Sequence, residues 1–199
     1  MLKYEKELDN YKNLIIAGTD EAGRGPSAGP LVVAACIMNK DYQNDQINDS
    51  KQLNEKTREK LFDEIIKNAI AYSIVEISAD EVDRLNPKQA SRIGMKQAIQ
   101  NLKTKPTLVI TDFEKIDIDI EQINLVKGDA LSFNVACASI LAKVVRDRRM
   151  LELDKIYPQY DFKNNKGYFT KNHAQALEKF GICQEHRKSY KNVKKYLNK

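Results

Sequence analysis

The stretch Leu14 to Met38, LIIAGTDEAGRGPSAGPLVVAACIM, decides the fold. Its two ends, Leu14–Thr19 and Leu31–Met38, are apolar runs of strand composition. Between them stand two adjacent carboxylates, Asp20 and Glu21, and a turn made of glycine and proline. Further strand runs fall at Ala71–Ser78, Thr107–Thr111 and, more weakly, Ile123–Val126. The later strands are separated by helical patterns. Glu55–Ala69 places Leu61, Phe62, Ile65, Ile66 and Ala69 at helical spacing behind an Asn54 cap, and Lys88–Leu102 begins after Pro87. A third helix runs from Asp129 to about Leu153, and its first half, ALSFNVACASILA, is apolar on every side, as a helix crossing the core requires. Beyond Pro158 the chain reads as polar helix. One short connection early and helical connections later fit an α/β fold with a mixed sheet.

Composition narrows the classes. A length of 199 residues with no low-complexity break predicts a single domain over residues 1–199. The opening MLKYEKELDNYKN is too polar for a signal peptide, and no apolar run reaches the roughly 20 residues of a membrane span. A cytoplasmic protein without membrane contact is expected. Cys36, Cys137 and Cys183 are odd in number and widely spaced, which argues against a disulfide framework or zinc site and for buried free thiols. The net charge is +5, and from Gln184 onward six Lys or Arg face the single Glu185. A phosphate backbone would be drawn there, although a solvated helix explains the same lysines.

Asp20 and Glu21 alternate faces if the strand continues, so both reach one site only if the strand ends and the chain turns, which Gly23 and Gly25 permit. Two nucleotide motifs fail here. Gly18-x-x-x-x-Gly23 is followed by Arg24-Gly25 rather than Lys-Ser/Thr, and Gly23-x-Gly25 runs into Pro26, Ser27 and Ala28 rather than a dinucleotide fingerprint. Two more carboxylates occupy element ends: Asp112 after TLVIT, and Asp129 at the start of the core helix, where a helix cap and a ligand are both open readings. Carboxylates without companion His or Cys suit Mg²⁺ or Mn²⁺, and a pair of such ions stabilises the attacking and leaving oxygens of a phosphodiester. The only histidines are His173, read as a helix-face residue, and His186.

These residues resemble the ribonuclease HII family. DEAGRGPSAGPLVVAACI is similar to its opening signature, and the likeness continues in order through NDSKQLNEKTREKLFDEI, VDRLNPKQASRIGMKQAIQNL, KGDALSFNVACASILAKVVRDRRM, NNKGYFTKNHAQAL and HRKSY, from about Leu14 to Tyr190. The resemblance implies a ribonuclease H-like fold, a central mixed five-stranded sheet flanked by helices. It would comprise a core over about residues 14–155 and a C-terminal helical, substrate-contacting extension over about 156–199. By motif it implies that Asp20, Glu21, Asp112 and Asp129 are the acidic residues that are both catalytic and metal-binding, with Mn²⁺ or Mg²⁺, two ions during catalysis. It makes Gly23, Arg24 and Gly25 a loop whose backbone meets a ribose 2′-hydroxyl, and Tyr168 the aromatic that packs on the next deoxyribose. Lys51, Lys143 and Arg146 are expected on phosphates. The implied activity is hydrolysis of RNA in RNA–DNA hybrids and incision 5′ of a ribonucleotide embedded in duplex DNA, leaving 5′-phosphate and 3′-hydroxyl ends, in ribonucleotide removal and replication. No protein partner is predicted.

Two positions depart from the family pattern. Phe113 follows Asp112 where the family usually has glycine, with Glu114, Asp117 and Asp119 nearby as alternative carboxylates, and Ser27 replaces an apolar residue. Against the hydrolase reading stand a hybrid-binding protein with a disabled metal site, disfavoured by Asp20, Glu21 and Asp129, and a nucleotide hydrolase, disfavoured by the two failed glycine motifs.

Overall fold

The computed structural model describes residues 3–48, 50 and 53–197. After a short helix α1 (Lys3–Lys6), strands β1 (Ile16–Ala22) and β2 (Leu31–Met38) lead to helix α2 (Glu55–Asn68) and strand β3 (Ala69–Ile77). Helices α3 (Ala79–Leu85) and α4 (Pro87–Gln100) precede β4 (Leu108–Asp112), β5 (Glu121–Leu125), α5 (Gly128–Leu131) and the long α6 (Phe133–Ile156). Three helices follow: α7 (Phe162–Asn165), α8 (Lys171–Phe180) and α9 (Lys191–Lys194). Among the described residues no helix is long and apolar enough to cross a membrane.

The five strands form one sheet in the order β3-β2-β1-β4-β5. β1 pairs antiparallel with β2 and parallel with β4, so the sheet is mixed, as expected. Every residue of β2 is buried, because Val32, Ala34, Cys36 and Met38 pack under α2 and α6 while Leu31, Val33, Ala35 and Ile37 pack under α4. A strand covered on both faces carries no polar alternation, which is why it reads as one apolar run. Helix α6 packs tightly on the sheet at Gly18, where a Cβ would stand 2.2 Å from the Asn134 carbonyl carbon, so no side chain fits there.

Several boundaries differ from those read in sequence. β1 does not end before Asp20 but runs through Glu21 to Ala22, held by Asp20 opposite Ala34 and Glu21 opposite Val33. The core helix is broken at Ser132, whose side chain accepts from the Val135 N–H and caps α6. Asp129 therefore caps neither helix; it lies inside the short α5, whose preceding residue is Lys127. Helix α3 is additional, and begins with a reciprocal capping box between Ser78 and Glu81.

Candidate active site

β1 delivers its two carboxylates to opposite sides of the sheet end. Asp20 turns toward α6, where Ser139 acts to lower its pKa, and its Oδ1 accepts from the Glu21 N–H at 2.8 Å. Ser139 in turn stands 2.9 Å from the Ser50 hydroxyl, a contact in which either oxygen can donate. Glu21 turns toward α4 and accepts from the Ser91 hydroxyl at 2.9 Å. Strand alternation is thus intact, and both carboxylates still line one cleft of about 240 Å³ because the cleft wraps the end of the strand. Asp112, last residue of the parallel neighbour β4, lines the same cleft and accepts from the Gly128 N–H at 2.8 Å.

The charges are felt between them. The Asp20 carboxyl is held well above the usual carboxylate range, first by burial and then by the charge of Glu21, with Asp112 adding to it and Ser139 opposing. Burial also raises Glu21, against the lowering effect of Ser91 and Arg24. Oxygen donors that repel one another in a poorly hydrated cleft are a set that a hard divalent cation fits, since it relieves the repulsion. Among the described residues, however, no three Asp, Glu, His or Cys side chains close around a common point. Asp129 is buried in α5, one residue from the N–H that holds Asp112, and does not line the cleft.

The glycine turn continues the cleft lining, with Gly23, Arg24 and Gly25 all part of it. Gly23 has φ +97, and a Cβ on it would meet Arg146 Nε at 2.0 Å. Arg24 reaches back to Glu114 at 2.9 Å and to Glu21 at 3.6 Å. Glu114, an alternative carboxylate in the sequence, is buried and spends its charge on Arg24 and Arg92, while Asp117 pairs with Lys96 on the surface. Ser27 is buried without loss, because its hydroxyl accepts from Asn192 at 2.6 Å.

Tyr168 lines the cleft beside Gly25 with 53% of its surface exposed. It is held from behind by a chain of bonds the sequence did not disclose. His173 lies on α8 as read, on the helix's fully buried face, with Nδ1 2.9 Å from the Tyr168 carbonyl and Nε2 2.9 Å from His186 Nε2. A carbonyl only accepts, so His173 carries its proton on Nδ1; His186 then donates from Nε2 and accepts at Nδ1 from the Cys183 N–H, at 2.9 Å. Both imidazoles are neutral in that arrangement. Burial lowers the His173 pKa, and burial together with His173 lowers that of His186 to about 4.

The expected phosphate contacts divide. Lys143 lines the cleft and binds Asp147 at 2.6 Å, one turn along α6. Arg146 also borders the cleft but is 1% exposed, and its guanidinium donates to the carbonyls of Pro30, Ala28 and Lys166. It is a clamp between the glycine turn and the Tyr168 loop rather than the exposed cation that its place among basic residues predicts. Lys51 lies outside the described residues. Sequence reasoning did not single out Ser50, Ser91 or Ser139; a serine inside the apolar half of α6 was the one available signal.

A mixed five-stranded sheet whose strand ends bring carboxylates to a groove edged by a glycine turn places the protein in the ribonuclease H-like class of folds. Residues 17–193 match the family described as Ribonuclease HII, and the chain belongs to that family. It is 54% identical over 182 residues to the ribonuclease HII of Mycoplasma mycoides subsp. mycoides SC, covering 90% of this chain and 88% of that protein. The crystal structure of the ribonuclease H2 from Pyrococcus horikoshii OT3 superposes with a TM-score of 0.80 at 26% identity, covering 92% of this chain and 97% of that one. The Bst ribonuclease HIII crystallised with Mn²⁺ shares the fold at 18% identity and a TM-score of 0.67, over 98% of this chain and 72% of its own. Membership makes the protein a nuclease that acts on RNA–DNA hybrids.

Proposed function

We propose that the enzyme, besides degrading hybrid RNA, incises duplex DNA on the 5′ side of a single ribonucleotide, leaving 5′-phosphate and 3′-hydroxyl ends, in cytoplasmic ribonucleotide removal. The observation that carries this reading is the meeting of Asp20, Glu21 and Asp112 with Gly25 and Tyr168 in one cleft. A carboxylate trio alone would serve any phosphodiester; an exposed glycine backbone beside an exposed aromatic adds a place to test one sugar and its neighbour.

Asp20, Glu21 and Asp112 are the residues that would hold Mn²⁺ or Mg²⁺, with Asp129 as the fourth acidic side chain behind Gly128. Such ions, when bound, activate water and neutralise charge on the departing oxygen; the shared fold of a ribonuclease HIII crystallised with Mn²⁺ supports their use here. Ser91 aims the Glu21 carboxylate by donating its hydroxyl to it, and Ser139 stands on the Asp20 side of the cleft. Arg24 is anchored through Glu114 and Glu21, which fixes its loop against the acids. Lys143, with Lys51, would meet the phosphates.

The test is a DNA duplex containing one ribonucleotide, incubated with Mg²⁺ or Mn²⁺. The expected result is a single cut 5′ of the ribonucleotide by the parent protein, and loss of cutting with retained duplex affinity in Asp20→Asn. Tight binding without cleavage by the parent would overturn the reading in favour of a binding protein.

A further inference from the structure

The C-terminal segment His186–Tyr190 does more than close the fold. Arg187 is fully buried, and no carboxylate lies within ion-pair distance of it among the described residues. A buried guanidinium is costly unless its donors are used. Here they are spent on backbone oxygens of the signature loop. Nε and Nη2 donate to Gly29 O at 3.2 and 2.9 Å, while Nη1 donates to Arg24 O at 3.2 Å and to the Tyr190 hydroxyl at 2.9 Å. The Tyr190 hydroxyl in turn donates to Arg24 O at 2.6 Å. The Arg24 carbonyl is therefore fixed by two donors from residues more than 160 positions away in sequence.

That anchoring has a consequence on the other side of the same peptide unit. The Arg24–Gly25 bond is trans, so its C=O and N–H point in opposite directions. With the carbonyl drawn inward by Arg187 and Tyr190, the Gly25 N–H faces outward. Gly25 is exposed, lines the cleft, and its N–H has no acceptor among the described residues. We propose that Arg187 and Tyr190 are positioning residues that orient the Arg24–Gly25 peptide so that its N–H is presented to the ribose 2′-hydroxyl, which makes the C-terminal segment a determinant of sugar discrimination. This rests on the reading of the glycine turn as the ribonucleotide sensor. Asp83 on α3 holds the segment in place, accepting from the Lys188 N–H at 2.5 Å, the Ser189 N–H at 3.0 Å and the Ser189 hydroxyl at 2.5 Å.

Simple packing would also conserve these bonds, so the test must read the sugar. In an Asp20→Asn background, where the duplex survives uncut, affinities are measured for a duplex with one ribonucleotide and for the same duplex with deoxyribose at that site. Their ratio is the discrimination, and it is compared with that of the added variant Tyr190→Phe, which removes a single hydroxyl and keeps the ring. Loss of one oriented hydrogen bond should shrink the ratio by about five- to tenfold, while affinity for the all-deoxy duplex moves by less than about twofold and the melting curve stays cooperative. Arg187→Lys, which keeps the charge but cannot span two carbonyls, should shrink it as well. A ratio unchanged in folded Tyr190→Phe overturns the inference alone. A ratio of one in the Asp20→Asn protein itself overturns the sensor reading and the inference with it.

Discussion

A Cβ added to Gly23 would stand 2.0 Å from Arg146 Nε and 2.8 Å from Pro30 O, on a backbone with φ +97. Neither neighbour can retreat, because Arg146 Nε is itself bonded to Pro30 O at 3.1 Å. Gly23→Ala should therefore lower stability by about 2–4 kcal/mol in urea melts. Gly25 differs: its nearest neighbour would be Tyr168 Cε1 at 3.7 Å, an ordinary contact. Gly25→Ala should leave stability within about 0.5 kcal/mol and still reduce incision at a single ribonucleotide at least about tenfold, since the new methyl occupies the approach to the N–H. Normal cutting by this variant would remove Gly25 from the substrate contact. Phe113 is the converse case. It adopts φ 65 with 62% of its surface exposed, at the position where the family usually carries glycine. A left-handed residue with a side chain costs about 1–2 kcal/mol, and glycine returns part of that gain through a more mobile unfolded chain. Phe113→Gly should raise stability by up to about 1 kcal/mol; a lower melting temperature would show that the ring makes a stabilising contact.

Among the elements, the segment around α8 couples protonation to folding. Its two histidines are packed among Tyr160 and Phe162 and are neutral, with every ring nitrogen assigned as donor or acceptor. A second proton on His186 would set Nδ1–H against the Cys183 N–H, and one on His173 would set Nε2–H against Nε2–H, in place of a hydrogen bond. The His186 pKa falls from 6.5 to about 4 on folding and that of His173 falls as well, so across that window the unfolded chain binds more protons than the folded one. Stability is present above about pH 6.5 and is lost as the pH drops toward 4, by about 2 kcal/mol between pH 7 and pH 5 from His186. Urea melts over that range should show this slope, and His186→Gln should flatten it whatever its effect on absolute stability. A slope that survives the substitution would place the titration elsewhere. Element scale is also where the sequence was most legible. The apolar runs of β1 to β4 and the helical spacing of α2 and α4 survive burial on either face, so periodicity finds them, while β5, an edge strand with no buried residue, was read only weakly and two residues late. The break at Ser132 escaped, since both α5 and the start of α6 are buried and carry no periodic signal. Helix α3 was announced by Ser78-x-x-Glu81, a capping box hidden by the apolar strand before it.

Over the whole molecule, the C-terminal portion is tied to the signature loop from several directions. Ala28 bridges to His186, Ser27 and Ala28 N–H groups donate to Gly167 O, and Arg146 joins Pro30, Ala28 and Lys166. Arg146 and Lys143, neighbours on one helix, should consequently fail in different ways. Arg146→Met leaves buried carbonyls unpaired and should cost about 3 kcal/mol of stability. Lys143→Met should fold normally, weaken duplex binding across sequences and reduce the slope of log affinity against log salt by about one. Equal salt slopes in parent and Lys143→Met would take Lys143 off the phosphates. From charge and motif alone the two side chains were equivalent; the carbonyls that surround Arg146 come from loops 116 and 20 residues distant, so only folding reveals them.

The linear chain by itself determined the strands, the main helices between them, the acidic positions and the glycine turn, because each is written in residue type and local spacing. Tertiary structure alone decided which charges are free and which are spent, how Asp20 and Glu21 share a cleft from opposite faces of one strand, and that a buried arginine near the C-terminus aims a peptide near the N-terminus. Those outcomes depend on distance in space and on exclusion of water, and neither quantity exists until the chain has packed.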